Sequence, residues 1–325
     1  MNHEEITAKV NAALDEKNLN FEAKMAETFA MVDGVYVPTG KFTPVRTDKQ
    51  GKDAVIGGGN FSRHYTPIQN VDAFSCLGEM AEVADIEFVN VGSWGNGAGV
   101  FAQISLGEMD AIGSSGDRVG KYLSLVNSHD GSRSLQLLVT PFRFFCSNQI
   151  SKAIGDAAKN NRIISIYHNA HGADRLRELA EAMHTAQGVL ESSEVAYKRL
   201  ADRRITLDEA REAMFRLFPV PVDSRTGTTE RIRRTWENKV RGLVGRFNDA
   251  DGGRMERLTG WNLYNAIQGT FQHDTKKTAM YEKSVLLGDI RTKSELSLAV
   301  VNDVLFNGYA KTSDENFDRL FASVA

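Results

Sequence analysis

His168 and His171 are separated by two residues, and an imidazole pair at that spacing could be half of a metal site. His184 or His129 would have to supply a third ligand, and no carboxylate stands at the spacing of a zinc motif. The pair also falls between an expected strand and an expected helix, where histidine serves as a polar cap. Metal-dependent hydrolysis would need several of Asp85, Glu87, Glu108, Asp110, Asp117 and Asp130 to converge. Most of these acids lie beside glycines or at strand ends, as turn-forming acids do. No nucleophile-elbow pattern is present. A metal-dependent enzyme using His129, His168 or His171 is thus the last of three functional readings.

Two glycine-rich loops suggest phosphate chemistry and fail its tests. Residues 113–122 read GSSGDRVGKY. The first glycine of a phosphate loop would fall at Ser115, Tyr122 follows Lys121 where Ser or Thr is required, and the loop leads into an expected strand rather than a helix N-terminus. No cofactor is expected. Residues 92–99 read GSWGNGAG between two strand-like runs, which is the composition of a bulged hairpin. Trp94 in that loop either folds back onto the core or offers a ring on which a nucleic-acid base stacks, a contact worth about 1–3 kcal/mol.

Cationic clustering is the stronger signal. Arg225, Arg231, Arg233, Arg234, Lys239, Arg241 and Arg246 face only Glu230 and Glu237 over the same stretch. On a helix Arg231, Arg234 and Arg241 nearly share a stripe; the alternative is a solvated face held by i,i+4 pairs. A second set, Arg118, Lys121, Arg133 and Arg143, lies on expected hairpins. Pairing through the Asp130-Gly131 turn would make Lys121 and Arg133 near cross-strand neighbours. A third group, Lys41, Arg46 and Arg63, belongs to a basic arm.

The elements carrying these residues follow from periodicity. Residues 3–32 read as a helix stopped by Asp33-Gly34, and residues 35–65 as a long arm with short strands. A helix is predicted over 70–84, hairpins over 86–106 and 121–145, a helix over 149–159, a strand over 163–167, and helices over 173–201, 207–218, 228–247, 261–270 and 293–307. Thr206 and Glu209 have capping-box spacing. Strands cluster rather than alternate with helices. The expected class is α+β: an antiparallel hairpin sheet packed by helices, with a mostly helical C-terminal half. The expected division is 1–64, 65–172 and 173–325.

Composition is that of an ordinary globular chain: 325 residues, 42% hydrophobic, with a net charge of −3. Any nucleic-acid contact must therefore come from a local patch. The acidic N-terminus resembles no signal peptide and no apolar run reaches membrane length, so a cytoplasmic protein is expected. Cys76 and Cys146 lie in apolar surroundings and are expected to be buried thiols.

Four segments resemble the phage- and plasmid-borne family called domain of unknown function 932: YTPIQN at 65–70, NSHDGS at 127–132, TPFRFFCSN at 140–148 and WNLYNA at 261–266. The resemblance spans about Tyr65 to His273 and implies no catalytic residues. A more distant likeness, in layout alone, is to phage single-strand annealing proteins. That likeness implies an ATP-independent, homo-oligomeric factor that binds single-stranded DNA through basic residues. The other binding reading is a host-takeover or anti-defence protein that meets a host protein through its surface.

Overall fold

A computed structural model describes residues 2–47, 51–57, 60–113, 116–143, 164–221, 230–250, 257–273 and 289–324. The predicted helix over 149–159, Cys146, Arg225 and the end of the TPFRFFCSN segment lie outside them.

Helix α1 (His3–Glu16) begins at Asn2, whose side chain accepts from the Glu5 N–H, and buries Ile6, Val10 and Leu14. It is half the predicted length. Asn18 takes a positive φ of 54°, and the chain continues as strand β1 (Glu22–Val32), paired with β2 (Val35–Thr47) and then β3 (Asp53–Val55) in a three-stranded antiparallel sheet. The error has a definite cause. Phe21, Met25 and Phe29 recur every four residues, which satisfies a helix and a two-residue strand alternation equally. Asp33 and Gly34 decide between them. Their φ values of 50° and 82° make a two-residue hairpin turn between Val32 and Val35, the geometry Asp-Gly favours.

The far end of this hairpin is unusually apolar. Phe29, Met31, Val32, Val35, Tyr36 and Val37 are 44–69% exposed. By the register, Phe29 and Met31 share a face with Pro38 and Tyr36, and Ala30 and Val32 share the other with Val37 and Val35. Strand β3 covers only Val45–Thr47 of β2.

The main sheet has five antiparallel strands in sequence order: β4 (Glu87–Trp94), β5 (Gly99–Glu108), β6 (Val119–Ser128), β7 (Leu135–Arg143) and β8 (Ile164–Ile166). Helix α2 (Asn70–Val83) packs on β5 and β6 and also meets α1. Phe74, Leu77 and Met80 of the helix and Ile104, Leu123 and Leu125 of the strands are fully buried. The α+β class and its antiparallel hairpins are thus as expected.

The helical half contains α3 (Arg177–Glu181), α4 (Met183–Asp202), α5 (Leu207–Leu217), α6 (Glu230–Asn248), α7 (Gly260–His273), α8 (Asp289–Asn302) and α9 (Glu315–Ala322). The helix predicted over 173–201 is broken into a 3-10 turn at Ala173–Arg175 and the helices α3 and α4, and α9 is not predicted. Thr206 closes the predicted capping box on α5. Helix α5 also buries a charge cluster that periodicity does not reveal. Glu212 accepts from Arg216 Nε (2.9 Å), from the Thr312 N–H (3.0 Å) and from Thr312 Oγ1 (3.0 Å). Burial alone would raise its carboxyl pKa, but these donors outweigh it and hold the group below the usual range.

The chain divides into two compact units. One is built on Met1–Met109 and Val119–Glu191, the other on Asp110–Arg118, Ser192–Thr278 and Leu287–Ala325. Residues 1–64 are grouped with the main sheet in the first of these units. Among the described residues no helix is long and apolar enough to cross a membrane.

Trp94 ends β4 and is 3% exposed, its ring stacked on Phe101 with centroids 6.5 Å apart. The left-handed run Gly95, Asn96 and Gly97 turns the chain so that the indole folds back over β5. Of the two sequence alternatives the core position is the one adopted, and no ring face is presented to a base. Gly99 makes room for it: a Cβ there would lie 2.0 Å from the indole. Gly99→Ala should consequently cost about 1–3 kcal/mol by overpacking and red-shift tryptophan emission. A urea midpoint equal to that of the wild type would show that the ring is not held in this way.

Candidate functional site

The segments YTPIQN and NSHDGS, far apart in sequence, meet in one buried polar cluster. Asn70, at the start of α2, is its centre. Its Nδ2 donates to the Leu19 carbonyl (2.9 Å), and its Oδ1 accepts from Asn127 Nδ2 (2.9 Å) and His129 Nε2 (3.0 Å). Asn127 Nδ2 also donates to the Ile68 carbonyl (2.9 Å), while the Ile68 N–H donates to His168 Nδ1 (3.1 Å). Tyr65 stacks on His168 with ring planes 6° apart, and its hydroxyl donates to the carbonyls of Ser128 and His129. Gln69 pairs both amide atoms with the backbone of Ala23 on β1. Asn70, Asn127, His129 and His168 are all buried.

Two of the four histidines considered as ligands, His129 and His168, are therefore together, their ring centroids 6.1 Å apart. His171 stands apart, exposed and 3.8 Å from Asp174. Among the described residues no three metal-ligating side chains are gathered. Burial holds both imidazoles neutral far below the usual histidine range, at about 3 for His129, with the neighbouring His168 adding to the effect, and about 4 for His168. With both imidazoles buried and uncharged near neutral pH, the cluster acts as a clamp joining α2, β1 and the β6–β7 connection.

The cationic residues fall into two groups by environment. Arg46 is engaged internally: its guanidinium lies 5.0 Å from the Phe21 ring centroid, and Nη1 donates to the Asn96 carbonyl. Lys41 and Arg63 are exposed. On the main sheet Lys121 is opposite Pro141 and Arg143 opposite Val119. Arg133 lies beyond the last paired residues at the other end of the hairpin, so Lys121 and Arg133 are not cross-strand neighbours. The register centres on Gly131, and the connection spans six residues rather than a tight Asp-Gly turn. Arg118 is exposed just before β6 and belongs to the second unit.

Helix α6 differs. Its first turns carry Arg231, Arg233 and Arg234, all exposed, and no ion pair to Glu230 or Glu237 forms among the described residues. The i,i+4 pairing that would have made these charges a self-neutralised face is not made. Further along, Lys239 lies over the Phe218 and Phe271 rings and Arg246 donates to Thr270 Oγ1, so these two face inward. Arg241 remains exposed, with Nη1 donating to Ser323 Oγ at 3.3 Å. Beside α6 opens a cleft of about 470 Å³ whose lining includes Arg233, Trp236, Arg241 and, from α9, Arg319. Arg319 lies 78 residues beyond Arg241 on a helix the periodicity did not reveal, so sequence spacing could not have grouped them.

A model of the family named domain of unknown function 932 matches residues 59–315. The chain belongs to that family. The match extends on both sides of the resembling segments, into the start of α9, and leaves out α1 and the apolar hairpin. The buried cluster is thus a feature of the family-matching region, completed by Leu19 and Ala23 from outside it. No curated protein and no solved structure is similar enough to the chain to match it.

The clamp has a pH signature. In the unfolded chain both histidines protonate near 6.5, whereas in the folded chain they do not until about 3 to 4. The unfolded state therefore binds more protons between these values, and stability is lost as pH falls from about 6.5 toward 4. Each histidine adds a slope of up to about 1.4 kcal/mol per pH unit. His168→Gln, measured by urea unfolding at pH 7, 6, 5 and 4.5, should show a slope shallower than wild type by about that amount. Equal slopes would contradict the neutral, buried imidazole.

Proposed function

We propose that this chain is a non-enzymatic single-stranded-DNA-binding protein of phage or plasmid origin that anneals strands without ATP and works as a homo-oligomer. The observation that carries the reading is the exposed group Arg231, Arg233 and Arg234 on α6, which pairs with no acid among the described residues, in a chain of net charge −3. Uncompensated guanidiniums are favourable where an anion covers them, and phosphates are the anions that Arg geometry suits best. Annealing requires neutralised repulsion between strands and bases left free to pair. Contacts through arginine to phosphate supply the first and do not obstruct the second.

A second reading, a host-takeover or anti-defence protein acting on a host protein, draws on a different observation. The β1–β2 hairpin ends in six exposed apolar side chains spread over both faces, and contiguous apolar exposure marks interaction surfaces. It would be preferred if no strand binding were found.

Single-strand binding, followed by anisotropy of a labelled oligonucleotide across a salt series, separates the two. Wild type should bind at low salt with affinity falling steeply as salt rises. Arg231→Ala with Arg234→Ala should flatten the log–log slope by about 1.4, two contacts at roughly 0.7 each, with circular dichroism unchanged. Failure to bind at about 50 mM salt, where such contacts are strong, would end the proposal. Binding with an unaltered slope in the double variant would remove α6 from the interface.

A further inference from the structure

The cleft beside α6 has a built wall on each side. On the α6 side stand Arg233, Trp236, Glu237 and Arg241; on the α9 side stand Asn316 and Arg319. Both helices are fixed by buried contacts. Trp236 Nε1 donates to the Phe218 carbonyl (3.1 Å), and its ring lies against Phe317, which is fully buried and also meets Phe215 edge-on. Arg211, itself buried, donates to Asp318 at 2.6 Å, and Asp314 caps the first turn of α9. Arg319 therefore projects from a helix anchored at the residue before it.

Three guanidiniums and one carboxylate, Glu237, line this space. Arg233 and Arg319 make no hydrogen bond or ion pair among the described residues. Like charges facing one concavity repel unless an anion lies between them. The surplus of two positive charges equals the charge of a phosphate monoester, about −1.5 to −2 at neutral pH, better than that of a diester. Val220, Pro221, Leu320, Ser323 and the half-buried Trp236 ring complete the lining, and the volume lies within the roughly 300–1,000 Å³ of small-molecule sites.

We propose that this cleft binds a phosphate monoester carried on a flat, partly apolar group, the 5′-phosphate of a nucleotide. Arg233, Arg241 and Arg319 hold the phosphate, and Trp236 with Leu320 receives the attached group. The same chemistry is offered by a free nucleotide and by the 5′-terminus of a DNA strand. Only the strand-terminus form rests on the single-strand reading above.

The test uses the full chain and four ligands: adenosine 5′-monophosphate and adenosine by titration calorimetry, and one oligonucleotide with a 5′-phosphate or a 5′-hydroxyl by anisotropy. The monophosphate should bind at least about tenfold more tightly than adenosine, and Arg319→Ala should lower its affinity by about tenfold or more, the loss expected of a charged hydrogen bond. Arg319→Gln and Arg233→Gln, folded by circular dichroism, should do the same from the two walls. A preference for the 5′-phosphorylated strand that disappears in Arg319→Ala supports the strand terminus; monophosphate binding without that preference supports the free nucleotide. Monophosphate binding by a protein that holds neither strand keeps the cleft and ends the single-strand reading. Conversely, strand binding with no monophosphate binding and no end preference overturns the cleft and spares that reading. Monophosphate affinity unchanged in all three variants also overturns it.

Discussion

Asn70 makes three buried hydrogen bonds to three different segments, and the first unit is organised around that side chain. Its amide bridges the end of the α1 region at Leu19, the last residues of β6 at Asn127, and His129 in the connection to β7. An amide and an imidazole removed from water must find partners or cost several kcal/mol. Pairing with one another turns this cost into a geometric constraint: α2 can start only where β6 ends. Gln69 extends the constraint to β1 by acting as a strand partner for Ala23. Polar groups thus set the register of elements whose apolar faces would tolerate several packings.

A similar principle operates in the second unit with charges in place of amides. Glu212 is fully buried and receives donors from Arg216 and Thr312, while Arg211 reaches Asp318. These bonds bring the C-terminal segment and α9 against α5. That docking, with the Phe317 ring beneath it, places Arg319 opposite Arg233 and Arg241. The arginines with a structural partner, Arg211, Arg216 and Arg246, and those facing solvent, Arg231, Arg233 and Arg234, are separated by burial rather than by local sequence. This separation is what turns a basic stretch into a candidate anion site.

The two units present surfaces of opposite character. The first ends in a hairpin that is apolar on both faces and lies outside the family match, and the second carries the exposed arginines of α6, which lie inside it. A strand pair with one apolar face can cover it by folding back on its own core; a pair with two cannot cover both in that way. The hairpin and the arginine helix are therefore suited to different kinds of contact, one with another apolar surface and one with an anion.

Much of the architecture was legible in the residues. The α+β class, the hairpins around Gly92–Gly99 and Asp130–Gly131, the capped start of α5 and the cationic character of α6 follow from period, turn chemistry and charge, which act over a few residues. The clamp segments were recognisable as motifs, though not as partners. What depended on distant neighbours was not legible. A four-residue spacing fits both a helix and a strand, so β1 was settled only by its pairing with β2 across Asp33-Gly34. Trp94 in a glycine loop has two positions of similar local merit, and burial over β5 chose between them. Lys121 and Arg133 were separated by a register that the six-residue connection sets. Arg319 joined the cleft through α9 docking on α5. Local chemistry specifies elements and their ends, but which side chains meet depends on desolvation and packing between segments tens of residues apart, energies that no single stretch of sequence contains.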